Sequence, residues 1–150
     1  MIALKTIFAQ IENSMSEKDF IPSSYITLKE EGIVGYTSPS NIALVKYWGK
    51  RENQIPANPS ISFTLAACMT KTSVEYKKKI RKDDEFSFDL FFEDQPKEEF
   101  KPKIKTFLKR IEKYLPFLKE YHLVIKTSNT FPHSSGIASS ASGMSALALC

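Results

Sequence analysis

Glycine is scarce in this chain, with five in 150 residues, and three of them, Gly49, Gly136 and Gly143, fall inside two short polar segments. Backbone freedom is therefore concentrated where a ligand can come close to the main chain. There are two cysteines, Cys68 and Cys150. They provide no disulfide framework and no zinc-ligand spacing, so no transition-metal site is expected, and their small number fits a reducing, cytoplasmic setting. Long apolar runs are also missing. The start Met1-Ile-Ala-Leu-Lys-Thr-Ile-Phe meets a charge at Lys5, which argues against a secretory signal, a spanning helix or a membrane partner. The charge imbalance is small: 21 basic against 17 acidic residues give a net +4. That suits anionic small molecules. No nucleic-acid partner is expected, because the lysines are interleaved with acids and no aromatic-basic RNA motif occurs.

What the chain does have is enough apolar content, 42%, to bury a core. Residues 1–30 read as an N-terminal extension, with Ile7, Ile11 and Met15 at helical spacing. Residues 31–150 read as one domain. Ile33 to Thr37 is a predicted strand; Ile61, Phe63 and Leu65 alternate with polar residues as a half-buried strand, and Val74 and Tyr76 continue the pattern in the next. A charged turn, Lys77 to Glu85, precedes alternating Phe86, Phe88, Leu90 and Phe92, and the expected arrangement is an antiparallel meander. Phe100, Ile104, Phe107, Leu108, Ile111, Leu115 and Leu118 follow helical spacing, with Pro102 in the first turn and Pro116 kinking or ending the helix. Tyr121 to Thr127 reads as a strand and Ala138 to Cys150 as a helix. The fold class is α+β, a mixed and largely antiparallel sheet with helices packed on it.

Two segments carry chemistry. Phe131-Pro-His-Ser-Ser-Gly-Ile-Ala-Ser-Ser-Ala-Ser-Gly143 puts small residues and hydroxyls immediately before an apolar helical run. Backbone amides at such a helix start can approach a polyanion. The same composition also forms ordinary loops and packing surfaces, so the pattern alone leaves both readings open; it matches neither of the common nucleotide-loop fingerprints. The second segment, Ser38-Pro-Ser-Asn-Ile-Ala-Leu-Val-Lys-Tyr-Trp-Gly-Lys-Arg51, gathers Lys46, Lys50 and Arg51 around the single tryptophan. On a helical turn, Lys46 and Lys50 would leave the same face. A solvated basic turn is the alternative.

Asn41 to Arg51, Ile55-Pro-Ala-Asn-Pro-Ser-Ile-Ser-Phe-Thr-Leu65 and Asn129 to Gly143 together resemble the diphosphomevalonate decarboxylases, members of the galactokinase, homoserine kinase, mevalonate kinase and phosphomevalonate kinase superfamily. The Lys-Tyr-Trp-Gly-Lys core is the specific part, and the Ser-rich loop is shared more widely. The resemblance implies a superfamily-type N-terminal domain and ATP-dependent decarboxylation of mevalonate 5-diphosphate to isopentenyl diphosphate, with ATP and Mg²⁺ required. It implies substrate contacts at Tyr47, Trp48, Gly49, Lys50, Asn58 and Ser60, with Lys46 and Lys50 near the reacting groups. Lys103 aligns with a basic residue on the substrate diphosphate. Ser135, Gly136, Ala138, Ser139 and Ser140 fall on the ATP loop, and a homodimer follows by analogy with relatives.

This chain departs from the family pattern at Pro59, usually serine, and at His133-Ser134-Ser135, usually Thr-Ala-Ala. A lone loop histidine such as His133 is ordinarily an exposed hydrogen-bonder. The family's catalytic aspartate has no match in the 150 residues, which read as an N-terminal part lacking the C-terminal domain and inactive alone. The alternatives are a related mevalonate or phosphomevalonate kinase or decarboxylase, and a non-catalytic ligand-binding paralogue.

Overall fold

Among the residues described by the computed structural model, 16–25, 27–52, 55–81 and 83–150, the elements run in the order β1 (Glu31–Val45), β2 (Ile61–Lys78), β3 (Ser87–Phe92), β4 (Gln95–Pro96), α1 (Lys101–Ile111), β5 (Tyr121–Asn129) and α2 (Ser139–Leu149). Short 3-10 turns occupy Glu17–Phe20, Glu98–Phe100 and Pro116–Glu120. Ile7, Ile11 and Met15, expected on a helix, lie outside the described residues.

The sheet order is β1-β2-β5-β3-β4. β2 pairs antiparallel with both β1 and β5, β3 pairs antiparallel with β4, and β3 pairs parallel with β5. The fold is thus α+β, with a mixed, mostly antiparallel sheet and two helices packed on it. The expected meander is corrected here: β3 skips its sequence neighbour β2 and lies beside β5, with α1 in the connection between them. A parallel pair requires such a crossover.

Two expected strands also merge into one. Ile61 to Leu65 and Val74 to Tyr76 belong to the single 18-residue β2. No turn-forming residue separates them, and β1 pairs with β2 through both parts, with register shifts at Pro39/Ser40 and Ala43/Val45. Pro39 is tolerated because β1 is an edge strand and the proline sits at an irregularity. The early part of β2 is not half-buried as expected: Ile61 and Phe63 are 60% and 55% exposed. No described element covers them.

The core lies between the sheet and the helices. Val74, Leu90, Leu123 and Ile125 from the sheet meet Ile104 and Leu108 of α1, with Tyr121 closing one end. On α1 the apolar stripe Ile104, Phe107, Leu108 and Ile111 follows helical spacing, and Lys101, Lys105 and Lys109 lie outside it. Pro102 sits in the first turn, and the helix stops before Pro116. The described residues that precede β1 run over this layer. Tyr25 packs edge-on against Phe117 at 4.7 Å and donates its hydroxyl to the Tyr114 carbonyl, Leu28 packs on the core, and Glu17 pairs with Lys113.

Along the inner face the sheet changes character. The row Val74, Ile125 and Leu90 is apolar; further along, Thr72 faces Thr127 and Thr70 faces Asn129. The hydroxyl end is the one beneath the start of α2. Ile125, 1% exposed at the centre of the apolar row, sets a test of the packing. Ile125→Ala is expected to destabilise the protein by about 3 kcal/mol, read as a lower denaturant midpoint in urea unfolding.

Candidate functional site

The connection from β5 into α2 is a loop built on left-handed residues. Ser134, Gly136 and Ala138 have φ of 62, 80 and 55°, alternating with residues of negative φ. Such alternation turns successive amides toward one side, the geometry of backbone anion nests. A side chain at Gly136 would meet nothing within 4 Å, so its glycine answers to backbone shape and leaves open space above the loop.

Ala138 is the N-cap of α2, and no side chain caps the helix. An N-cap is usually Ser, Thr, Asp or Asn, whose oxygen takes up a first-turn amide. Here that role is left to something else. The Ser139 and Ser140 amides have no carbonyl four residues back within the helix, and the positive end of the helix dipole points out of the loop.

Beneath this entrance is a cavity of about 300 Å³. Its floor is apolar, from Leu90, Ile104, Ile125 and Met144. Its polar rim carries Thr70, Thr72, Thr127, Asn129, Lys103, His133, Ser139 and Ser140. Thr70 sits in a chain of hydroxyls: Ser142 Oγ is 2.7 Å from Thr70 Oγ1, which donates to Asn129 Oδ1 at 2.7 Å. The Asn129 backbone amide donates to Glu93 at 2.8 Å. Its side-chain Nδ2, shielded from solvent, has no partner. An unpaired buried donor is costly unless a ligand or an ordered water supplies an acceptor.

The Lys-Tyr-Trp segment is not a helical turn. Lys46–Gly49 is an irregular loop, Gly49 has φ of +83°, and Lys50 forms an isolated antiparallel bridge with Pro56. This corrects the expectation that Lys46 and Lys50 share a helix face. The reason is local: the Trp48 amide donates to Asn58 Oδ1 at 2.6 Å, Arg51 N to Ile55 O at 2.8 Å and Ala57 N to Gly49 O at 3.2 Å. These bonds bring residues 55–58 back alongside residues 46–51. The Lys50 ammonium stands 5.8 Å from the Tyr47 ring centroid. Trp48 is 83% exposed, and Ser60 is exposed just before β2. Asn58, expected to face the substrate, here staples the loop.

β1 connects the two regions. Ser40 donates to the Ile137 carbonyl and Ser38 to Ser145 Oγ at 2.8 Å, so the strand that runs on into Lys46 is tied to the Ser-rich loop and to α2. Of the expected site residues, Ser139 and Ser140 border the cavity; Ser135, Gly136 and Ala138 form the exposed loop above it. Lys103 lines the same cavity, alongside Ser139. Asn129, Thr70, Thr72 and Thr127 were not singled out from sequence. The alternation Thr70-Lys-Thr72 was a usable signal, because hydroxyls on the face of a strand that also carries Val74 mark a polar end to the core.

A family model for the diphosphomevalonate decarboxylase-like N-terminal domain matches residues 38–150. The chain belongs to this family. A diphosphomevalonate decarboxylase of Bos taurus is 33% identical over 131 residues, covering 77% of this chain and 32% of the relative. A mevalonate diphosphate decarboxylase structure from Staphylococcus aureus has a TM-score of 0.65 and 29% identity over 79% of this chain and 35% of that one. A complex of MDDEF with MVAPP, AMPPCP and magnesium has a TM-score of 0.62 and 30% identity over 78% of this chain and 35% of that one. The chain therefore spans about a third of the length of the relatives it matches. Among the described residues no helix is long and apolar enough to cross a membrane.

The loop geometry leads to two tests. Gly136→Ala, forced to a left-handed φ with no clash to relieve, is expected to cost about 1 kcal/mol in urea unfolding. Asn58→Ala removes the staple on the Trp48 amide; the fluorescence anisotropy of this sole tryptophan should fall as the loop loosens, while α2 and the sheet keep their circular dichroism.

Proposed function

We propose that this chain provides the nucleotide- and acceptor-binding part of an ATP-dependent decarboxylase that converts mevalonate 5-diphosphate to isopentenyl diphosphate, ADP, phosphate and carbon dioxide. The observation that carries this reading is the uncapped, hydroxyl-lined start of α2 above a cavity with an unpaired Asn129 donor, in a chain of this family.

Three anionic groups must be gathered in this reaction: a triphosphate, a diphosphate and a carboxylate. The triphosphate would lie on the Ser139 and Ser140 amides and hydroxyls, with Ser135, Gly136 and Ala138 shaping the loop, and the nucleoside would enter the cavity below. Fixed amides aimed at phosphate oxygens suit phosphoryl transfer, which is governed by positioning and charge stabilisation. Lys103 borders that cavity, so on this reading it serves the nucleotide rather than the substrate diphosphate. Lys46, Lys50, Tyr47, Trp48, Gly49 and Ser60 would hold the acceptor, with Lys46 and Lys50 opposite its carboxylate and hydroxyl. The MDDEF complex with MVAPP, AMPPCP and magnesium supports this ligand set. The donors at the loop are hydroxyls and amides, suited to phosphate oxygens. No cluster of three or more His, Cys, Asp or Glu side chains that could hold a metal ion occurs among the described residues. Mg²⁺ would thus enter on the ATP phosphates, where it screens their charge.

The test is ATP-dependent release of carbon dioxide from mevalonate 5-diphosphate by the protein that carries this chain. Phosphorylated product without carbon dioxide would assign it to a related kinase, and no reaction with either ligand would remove the proposal. Lys50→Ala is expected to lower kcat/KM about 100-fold with little change in unfolding. Ser140→Ala is expected to raise the KM for ATP by several-fold, with Ser139 sharing the contact.

A further inference from the structure

His133 stands where three pieces of the fold meet. Its ring lies 5.1 Å from that of Phe92, the last residue of β3, and 5.8 Å from that of Phe100, at the end of the turn leading into α1. Phe92 and Phe100 are themselves 6.3 Å apart and edge-on, so the imidazole completes an aromatic triangle. On its other side, His133 Nδ1 is 3.3 Å from Ser139 Oγ, the first hydroxyl of α2. The side chain also divides two spaces: the cavity beneath the loop, and an outer groove of about 420 Å³ bordered by Glu93, Thr130, Phe131 and Pro132.

We propose that His133 is a positioning residue that sets the direction of the Ser139 hydroxyl toward bound phosphate. The inference rests on the nucleotide reading of the loop. A serine hydroxyl has one proton and two lone-pair directions. When Nδ1 carries a proton it donates to Ser139 Oγ, and the hydroxyl proton is left to donate to an anionic oxygen above the loop. When Nδ1 is bare it takes the hydroxyl proton, and Ser139 offers the phosphate only lone pairs. The productive form is therefore the one with a proton on Nδ1.

The aromatic triangle keeps the ring from turning away. Loop residue Ile137 is held from β1 by Ser40, and His133 holds the other end from β3 and the start of α1. Lys103, on the first turn of α1, borders the same cavity as His133 and Ser139. A threonine, the residue the family pattern has here, could offer a hydroxyl to Ser139 but has no ring to pack against Phe92 and Phe100. The histidine supplies both the tilted ring contacts and the hydrogen bond.

Two substitutions separate these contributions. His133→Phe retains the ring packing and removes the nitrogen; His133→Asn gives up the ring contacts and retains a side-chain N–H at nearly the position of Nδ1. In the full protein, His133→Phe is expected to raise the Kd for ATP about tenfold with Tm unchanged, leaving kcat at saturating ATP near its original value. His133→Asn is expected to recover most of the affinity. In a Ser139→Ala background the His133→Phe effect should vanish, because the hydroxyl it acts through is gone. Unchanged ATP affinity in His133→Phe, or an equal loss with and without Ser139, overturns the assignment. If the unsubstituted protein binds no ATP, the nucleotide reading fails and this inference fails with it; if it binds ATP and the double-mutant coupling is zero, only the role of His133 is lost.

Discussion

A seam of small hydroxylated residues holds α2 against the sheet. Ser38 and Ser40 of β1, Thr70 of β2 and Ser142 of α2 are all buried, and Ala146, fully buried, continues the same contact. Ser38 bonds Ser145, Ser40 bonds the Ile137 carbonyl, and Thr70 bonds both Ser142 and Asn129. Larger apolar side chains would push the helix outward. With short hydroxyls the helix sits close, its first turn is fixed in direction, and the polar atoms left in the interior are nearly all paired. The one exception among the described residues, Asn129 Nδ2, lies at the end of the seam that borders the cavity.

That seam has a consequence for function. A helix start without a capping side chain is ordinarily a weakness, as is a left-handed alanine. Both are tolerated at Ala138 because the surrounding contacts over-determine the loop, with Ser40 holding one end and His133 the other. Strain and unsatisfied donors collect where a polyanion would relieve them, while the apolar row of Val74, Ile125 and Leu90 below supplies the stability. The same strand β1 that forms half the seam runs on into the Lys-Tyr-Trp loop, so one element is common to the two regions proposed to handle anions.

Much of this was legible in the chain. The helical spacing of Ile104, Phe107, Leu108 and Ile111 locates α1, Pro116 marks the point it cannot pass, and the small-residue cluster before Met144 marks the start of α2. Long-range pairing was not legible. Alternation in Phe88, Leu90 and Phe92 defines a strand but carries no information on whether its partner is β2 or β5, so the meander was the simplest expectation and the parallel pair went unseen. The four-residue spacing of Lys46 and Lys50 mimicked a helical turn. Only the return of Asn58 to the Trp48 amide, ten residues on, shows why that segment is a loop. From sequence Thr70 reads as an ordinary strand residue and Ser142 as one of the small residues of the loop segment; their shared buried role depends on each other across 72 positions.

The central claim is that the start of α2 grips a polyphosphate while the loop around Trp48 holds its acceptor. It is tested most directly by an experimental structure of the protein with a non-hydrolysable ATP analogue and mevalonate 5-diphosphate both bound. The account predicts phosphate oxygens within hydrogen-bond distance of the Ser139 and Ser140 amides, the nucleoside in the cavity beside Asn129, and the acceptor carboxylate against Lys46 or Lys50. Phosphates seated elsewhere, with the α2 amides facing only solvent, would contradict it.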